Sequence, residues 1–249
     1  MTARSAPSSP STPAIATVPA GELIGFDEVP AHEPRQLHAK RFQPYLTPLT
    51  GCVPHPGVDA RGRISAGLGL DSVSDGCTDS PGQTYSRSVS LDEYRAIVYA
   101  WYFPRDCPSP GRGHPHDWEG AVVWLRGEGE DAEMLSFSYS QHGRLFTLAP
   151  SEGTTHEGRP MLAYSRYGEQ VTHSMWLHDS PGELFPLIDW EDLTPAARTA
   201  LNHGDYGAGT PLMRDGAFEH NVYHSWAGDP ALIMDLRNGT RPGGARRRE

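Results

Sequence analysis

Residues 96–125 read AIVYAWYFPRDCPSPGRGHPHDWEGAVVWL. The run at 95–103 places Ile97, Tyr99, Trp101 and Phe103 on one side of an extended chain and Val98, Ala100 and Tyr102 on the other. Bulky apolar residues on both sides indicate a strand inside a sheet rather than at its edge. Pro104, which has no N–H for a ladder, is expected to end it. A Pro-rich loop follows. The second strand is expected at 116–126, with His116, Trp118, Gly120, Val122 and Trp124 on one face and Asp117, Glu119, Ala121, Val123 and Leu125 on the other. A connection of about a dozen residues makes the two strands antiparallel neighbours.

Outward from this pair, 134–140 and 144–149 read as a hairpin around Gly143, and 161–165 and 171–177 as two more strands. The segment LTPAARTALNH, 193–203, is the strongest helix signal, with Thr194 as N-cap and Pro195 in the first turn. Residues 21–50 show no clear period, and 51–90, rich in Gly, Ser and Asp, read as long loops. With no internal repeat and no second apolar core, one domain is expected over about 21–236. Residues 1–20 form a Ser/Pro/Thr/Ala-rich disordered arm without a signal-peptide core. Residues 237–249, with Arg246, Arg247 and Arg248, form a solvated Arg-rich tail.

Composition supports this reading. The chain has 249 residues, of which Gly (27) and Pro (23) make a fifth, favouring short strands and turns over a helix bundle. A net charge of −10 excludes general nucleic-acid binding, which needs a basic face. No apolar run is long enough for a membrane-spanning helix. The cysteines are Cys52, Cys77 and Cys107, with no CxxC pair, which excludes zinc ribbons and thioredoxin-type redox motifs. Cys52 and Cys77 both follow glycine in turn-rich surroundings. Spacing leaves open whether they are bridged or are two unpaired small residues.

Ligand chemistry concentrates at Asp106–Glu119: Asp106, His114, His116, Asp117 and Glu119. Asp117 and Glu119 share one strand face about 7 Å apart, and no Arg or Lys is interleaved to balance them. A divalent cation would do so, and oxygen donors with one imidazole suit Mg, Ca or Mn better than Zn or Cu. Alternation does not decide which histidine ligates. A second reading makes Asp117 or Glu119 a general base beside metal-bound water. No nucleophile motif (GxSxG, HExxH or a Gly-rich phosphate loop) accompanies it, so no catalytic residue is assigned and the chain is not expected to be an enzyme.

The 96–125 segment closely resembles the hallmark of the necrosis- and ethylene-inducing peptide 1-like proteins, the NPP1 family, which typically shows AIMYAWYFPKD, a Ser/Pro/Gly loop, then GHRHDWE and a VVWL-like strand. FQPYL at 42–46, GCVPHPGVDARG at 51–62, Gly76–Cys77, SQHG at 140–143, His173, FPLIDWEDLTPAARTALNHGDYG at 185–207 and FEHNVYHSW at 218–226 extend the resemblance over most of the chain. It implies an all-β-dominated, single-domain β-sandwich with peripheral helices, similar to the actinoporin cytolysins, and a Cys52–Cys77 disulfide. It implies a secreted cytolysin-like toxin that binds glycosyl inositol phosphoryl ceramide headgroups of plant plasma membranes. The family's ligands for one divalent cation, Mg or Ca, carry over to Asp106, His114, Asp117 and Glu119. His142, His173 and His116 are assigned to the headgroup cavity, and a plant immune receptor is implied as a partner that detects the 96–125 segment. A monomer is expected. Pro115 replaces a usual Arg, Thr172 a usual acid or amide, Cys107 a usual Ser, and Glu169 the Trp of many cytolytic members. These departures favour a non-cytolytic glycolipid-binding or immunogenic member as the alternative. A metal-dependent polysaccharide hydrolase or lyase is the further one.

Overall fold

The structure, a computed structural model, describes residues 14–168 and 171–228. Glu169, residues 1–13 of the expected arm and the Arg-rich tail lie outside the described residues. The chain enters through β1 (Thr17–Val18), then helix α1 (Pro34–Arg41), β2 (Tyr45–Pro48), β3 (Ile64–Ser65) and β4 (Thr84–Leu91). The central pair is β5 (Tyr94–Asp106) and β6 (His114–Arg126). After it come β7 (Glu133–Gln141), β8 (Arg144–Leu148), β9 (Thr155–His156), β10 (Arg159–Ser165), β11 (Ser174–Leu177), β12 (Leu187–Asp189), α2 (Pro195–His203) and α3 (Ala217–Ser225). Six strands form one sheet in the order β12-β4-β5-β6-β7-β8, and β11-β10-β2, with β9 beside β10, form a second.

The two-sided bulk of β5 and β6 does what it implies. They pair antiparallel in the middle of the larger sheet, and both are covered on two faces. The face of Trp101 and Phe103 meets the smaller sheet, where Phe103 stacks flat on Tyr164 of β10 at 3.6 Å. Toward the other face, Trp124 donates to the Ser225 hydroxyl of α3 at 2.8 Å and packs on Trp226. This is the expected single-domain, mostly β architecture with helices outside it.

Two strand boundaries and two whole strands differ from the sequence reading. Pro104 does not end β5, which runs on to Asp106, and β6 starts at His114 rather than 116. The ladder joins Phe103 to Asp117 and Arg105 to Pro115, with Pro104 and His116 unpaired between them. The missing N–H of Pro104 therefore costs no ladder bond. The end of the expected 51–90 loop instead forms β4, Thr84–Leu91; the alternation TYSRSVSL is carried by serines, which give little apolar contrast. Thr17–Val18, inside the expected arm, pairs parallel with Ile64–Ser65. Helix α2 matches its expectation: the Thr194 hydroxyl accepts from the Ala197 N–H at 3.1 Å, with Pro195 in the first turn.

Candidate functional site

Between β6 and β7 the ladder covers only Ala121–Arg126. Among the described residues the first half of β6 has no strand on that side, and the gap opens into a cavity of about 430 Å³. Asp106, His114, Asp117 and Glu119 all line it. Simple alternation would put Asp106 and His114 on the face of Tyr102 and Trp118, opposite Asp117 and Glu119. The chain breaks that alternation at His116, which adopts φ +57 across from Pro104. A non-glycine residue in the left-handed region is uncommon and marks a backbone held by its surroundings. Both strands turn there together, so Asp106 and His114 remain cross-strand partners and reach the carboxylate side. The tight turn before His114 needs Gly113: its φ is +98, and a Cβ there would lie 1.9 Å from the Asp106 carbonyl oxygen.

Each carboxylate is fixed by a neighbour. Asp106 Oδ1 accepts from the backbone N–H of His173 at 2.9 Å and pairs with its Nδ1 at 2.7 Å, while His114 Nε2 stands 3.8 Å from Oδ2. Asp117 Oδ2 accepts from the Tyr164 hydroxyl at 2.8 Å. Glu119 Oε2 accepts from the Ser140 hydroxyl, which itself accepts from the Gly120 N–H at 2.7 Å. All three acids are buried. Burial, then the charge of Asp106, pushes the Asp117 carboxyl up to about 7, against the Tyr164 hydrogen bond and His114. Burial and the charge of Asp117 raise Glu119 well above the carboxylate range, opposed by Ser140. Among the described residues no Lys or Arg pairs with any of the three.

This donor set, acidic, desolvated and without a basic counter-charge, fits a hard divalent cation. The residues are not a finished cage, because among the described residues no three His, Cys, Asp or Glu side chains converge as ready metal ligands. The groups that hold the acids, His173, Tyr164 and Ser140, are of the kind that orient ligands from behind. Tyr164→Phe keeps the Phe103 stack and removes only the hydroxyl. It is expected to weaken cation binding by roughly tenfold or more with little change in fold, as read by calorimetry.

His142 and His173 also line the cavity. His142 sits at the tip of the expected hairpin, where φ is +50 at His142 and +73 at Gly143, the signature of a two-residue type I′ turn. Its Nδ1 lies 3.3 Å from the Thr172 hydroxyl. His116, assigned by sequence to the same cavity, is turned away from it. It is buried, with Nδ1 at 2.7 Å from the Tyr102 hydroxyl and its ring against Tyr206. The αL twist that brings His114 in turns His116 out. Sequence reading missed Tyr164, on β10 of the other sheet, and Ser140, on the adjacent strand β7; neither carries a local signal. It also missed the 206–212 loop and α3 on the far wall.

Cys52 and Cys77 are bridged, and Cys107 is a buried free thiol. The bridge packs the neighbouring Gly51 on His173: a Cβ at Gly51 would stand 2.7 Å from His173 Nε2.

Comparison with known proteins agrees with this fold. Residues 36–224 match the model of the Necrosis inducing protein (NPP1) family. The chain is 37% identical to NLP effector protein 10 of Phytophthora capsici over 223 residues, 86% of this chain and 95% of that one. The solved structure of NLPPya in complex with mannosamine superposes with a TM-score of 0.80 at 32% identity, covering 86% of this chain and all of that one. The crystal structure of the non-toxic HaNLP3 protein superposes nearly as well, at a TM-score of 0.78 and 30% identity over 84% of this chain and 99% of that one. With the strand pair, the acidic cavity and the disulfide in place, this chain belongs to the Necrosis inducing protein (NPP1) family.

Proposed function

We propose that this protein is a secreted, cation-dependent binder of glycosyl inositol phosphoryl ceramide headgroups on plant plasma membranes, and that its permeabilising step is weak. The observation that carries this reading is the set of three buried carboxylates, without a basic partner among the described residues, facing an open cavity. Asp106, His114, Asp117 and Glu119 would hold the ion, Mg²⁺ or Ca²⁺. A bound ion would neutralise these acids and accept sugar hydroxyls into its oxygen shell. His173, Tyr164 and Ser140 keep the ligand oxygens aimed, and the exposed His142 stands at the rim with Thr172. The complex of NLPPya with an amino sugar supports a sugar as the occupant. The disulfide supports export to an oxidising compartment.

The non-cytolytic reading is favoured by sequence rather than by shape. Shape does not decide it, since the non-toxic HaNLP3 superposes almost as closely as NLPPya. In sequence, Glu169 stands where many cytolytic members carry a Trp, and a carboxylate opposes entry into an interface that aromatics favour. An immune receptor reading the 96–125 segment would need it released from the sheet, because Ile97 to Phe103 and Ala121 to Leu125 are wholly buried.

Flotation with liposomes containing the sphingolipid, paired with dye release from the same liposomes, tests both parts. Binding in Mg²⁺ or Ca²⁺ that is lost in EDTA, with little dye release, is expected. Binding that survives EDTA defeats the cation-dependent reading, and strong dye release defeats the weak-lysis reading.

A further inference from the structure

We propose that His220 and His224 of α3 form a second metal site of different chemistry, a two-imidazole chelate for a borderline transition-metal dication such as Zn²⁺ or Ni²⁺. It does not rest on the oxygen-donor cavity. The two residues are four apart on one helix, so they project from the same face one turn from each other. Their ring centroids are 4.2 Å apart, close enough for one ion to bridge them after small side-chain rotations. The rotation of the helix is fixed, because Phe218, Val222 and Ser225 are buried on its inner side. Both histidines are consequently presented outward and exposed. The ring of Tyr223 meets that of His224 edge-on at 5.1 Å.

Two further features suit a cation here. His224 lies in the last turn of α3, where the partial negative charge of the helix C-terminus favours positive charge. The chain as a whole carries a net charge of −10. Imidazole nitrogens prefer Zn, Ni and Cu, whereas the carboxylates of the cavity prefer Mg and Ca, so the two sites divide ions by donor type. His220 also lines the cavity, which places the second ion at its rim, with the remaining coordination positions open to water or to a bound molecule.

The test uses the untagged full chain on immobilised Ni²⁺ and in calorimetry with Zn²⁺ alone. The unmodified protein should be retained and eluted by imidazole. His224→Ala should lose retention and at least tenfold in Zn²⁺ affinity, and His220→Ala/His224→Ala should lose no more, since one imidazole cannot chelate. Alanine favours the helix, and a matching thermal melt confirms that the variants are folded. His224→Gln serves as a polar replacement with the same expected loss. Asp117→Asn should be retained as the unmodified protein is. An unmodified protein that flows through, variants retained like it, or loss of retention in Asp117→Asn alone would each overturn the assignment.

Discussion

Asp117→Asn is expected to abolish Mg²⁺ and Ca²⁺ binding and, in EDTA, to make the protein more stable than the unmodified chain. The sign follows from the direction of the shift. The Asp117 carboxyl is pushed from an ordinary value of 3.8 up to about 7 by burial and by the charge of Asp106. Between those two values the folded state binds more protons than the unfolded state, so stability falls as pH rises through that window. The loss is complete above about pH 7 and amounts to a few kcal/mol at most. Asparagine keeps the size of the side chain and an acceptor for the Tyr164 hydroxyl, and it removes the charge. The measured quantity is the difference in melting temperature between variant and parent. Burial lowers the pKa of His38, His55 and His116, which gives both proteins a stability that rises with pH, and taking the difference cancels it. The gap should be small near pH 4, widen towards pH 7 and close when Mg²⁺ or Ca²⁺ is added, because the ion stabilises only the parent. A gap that does not change with pH would show that the acids are not held apart from water as described. Cation binding retained by Asp117→Asn would remove Asp117 from the ligand set.

The part of this site that was legible in the sequence is the part written in one stretch of chain. The pairing of β5 with β6 follows from Ile97, Tyr99, Trp101 and Phe103 having bulky neighbours on both sides, since only an interior strand buries both faces. The Asp117 and Glu119 carboxylates share a face because strand alternation leaves no other choice. The limit of that argument is His116. Alternation is a rule for regular strands, and one residue at φ +57 exchanges the faces of everything before it. His114 therefore joins the acids by a backbone irregularity that residue types do not announce, and the assignment came from resemblance instead. Helix α1 was missed for another reason. Its residues PRQLHAKR bury Gln36, His38 and Ala39 rather than an apolar stripe, so there is no periodic signal, although Glu33 and Gln36 form a capping box. Tyr164 and His173 become neighbours of the acids only through the packing of two sheets and one long loop, and Ser140 through the register of β7 beside β6.

Removing the disulfide with Cys52→Ser/Cys77→Ser is expected to lower stability by about 3 kcal/mol, the chain-entropy value for a closed loop of this length. The bridged cysteines are 25 residues apart. For a domain of this size that corresponds to a melting temperature lower by about 6–12 °C. With both partners gone, Cys107 has no internal thiol to exchange with. The larger consequence is at the cavity. The bridge and the hydrogen bond from the Val53 N–H to the Cys77 carbonyl at 2.9 Å hold the start of the loop in place, and Gly51 rests on the His173 ring. His173 in turn supplies two of the contacts to Asp106 Oδ1. Releasing the loop gives the His173 ring room to leave Asp106, which then loses its orientation toward the acids it faces. Calorimetry well below the melting temperature should therefore show Mg²⁺ or Ca²⁺ affinity reduced by about tenfold or more, as for other losses behind a ligand. His173→Ala, which removes the Nδ1 contact and leaves the bridge intact, should reproduce the affinity loss with a smaller change in melting temperature. If the double serine variant melts early yet binds the cation as tightly as the parent, the bridge stabilises the fold only, and the link from Gly51 through His173 to Asp106 does not exist.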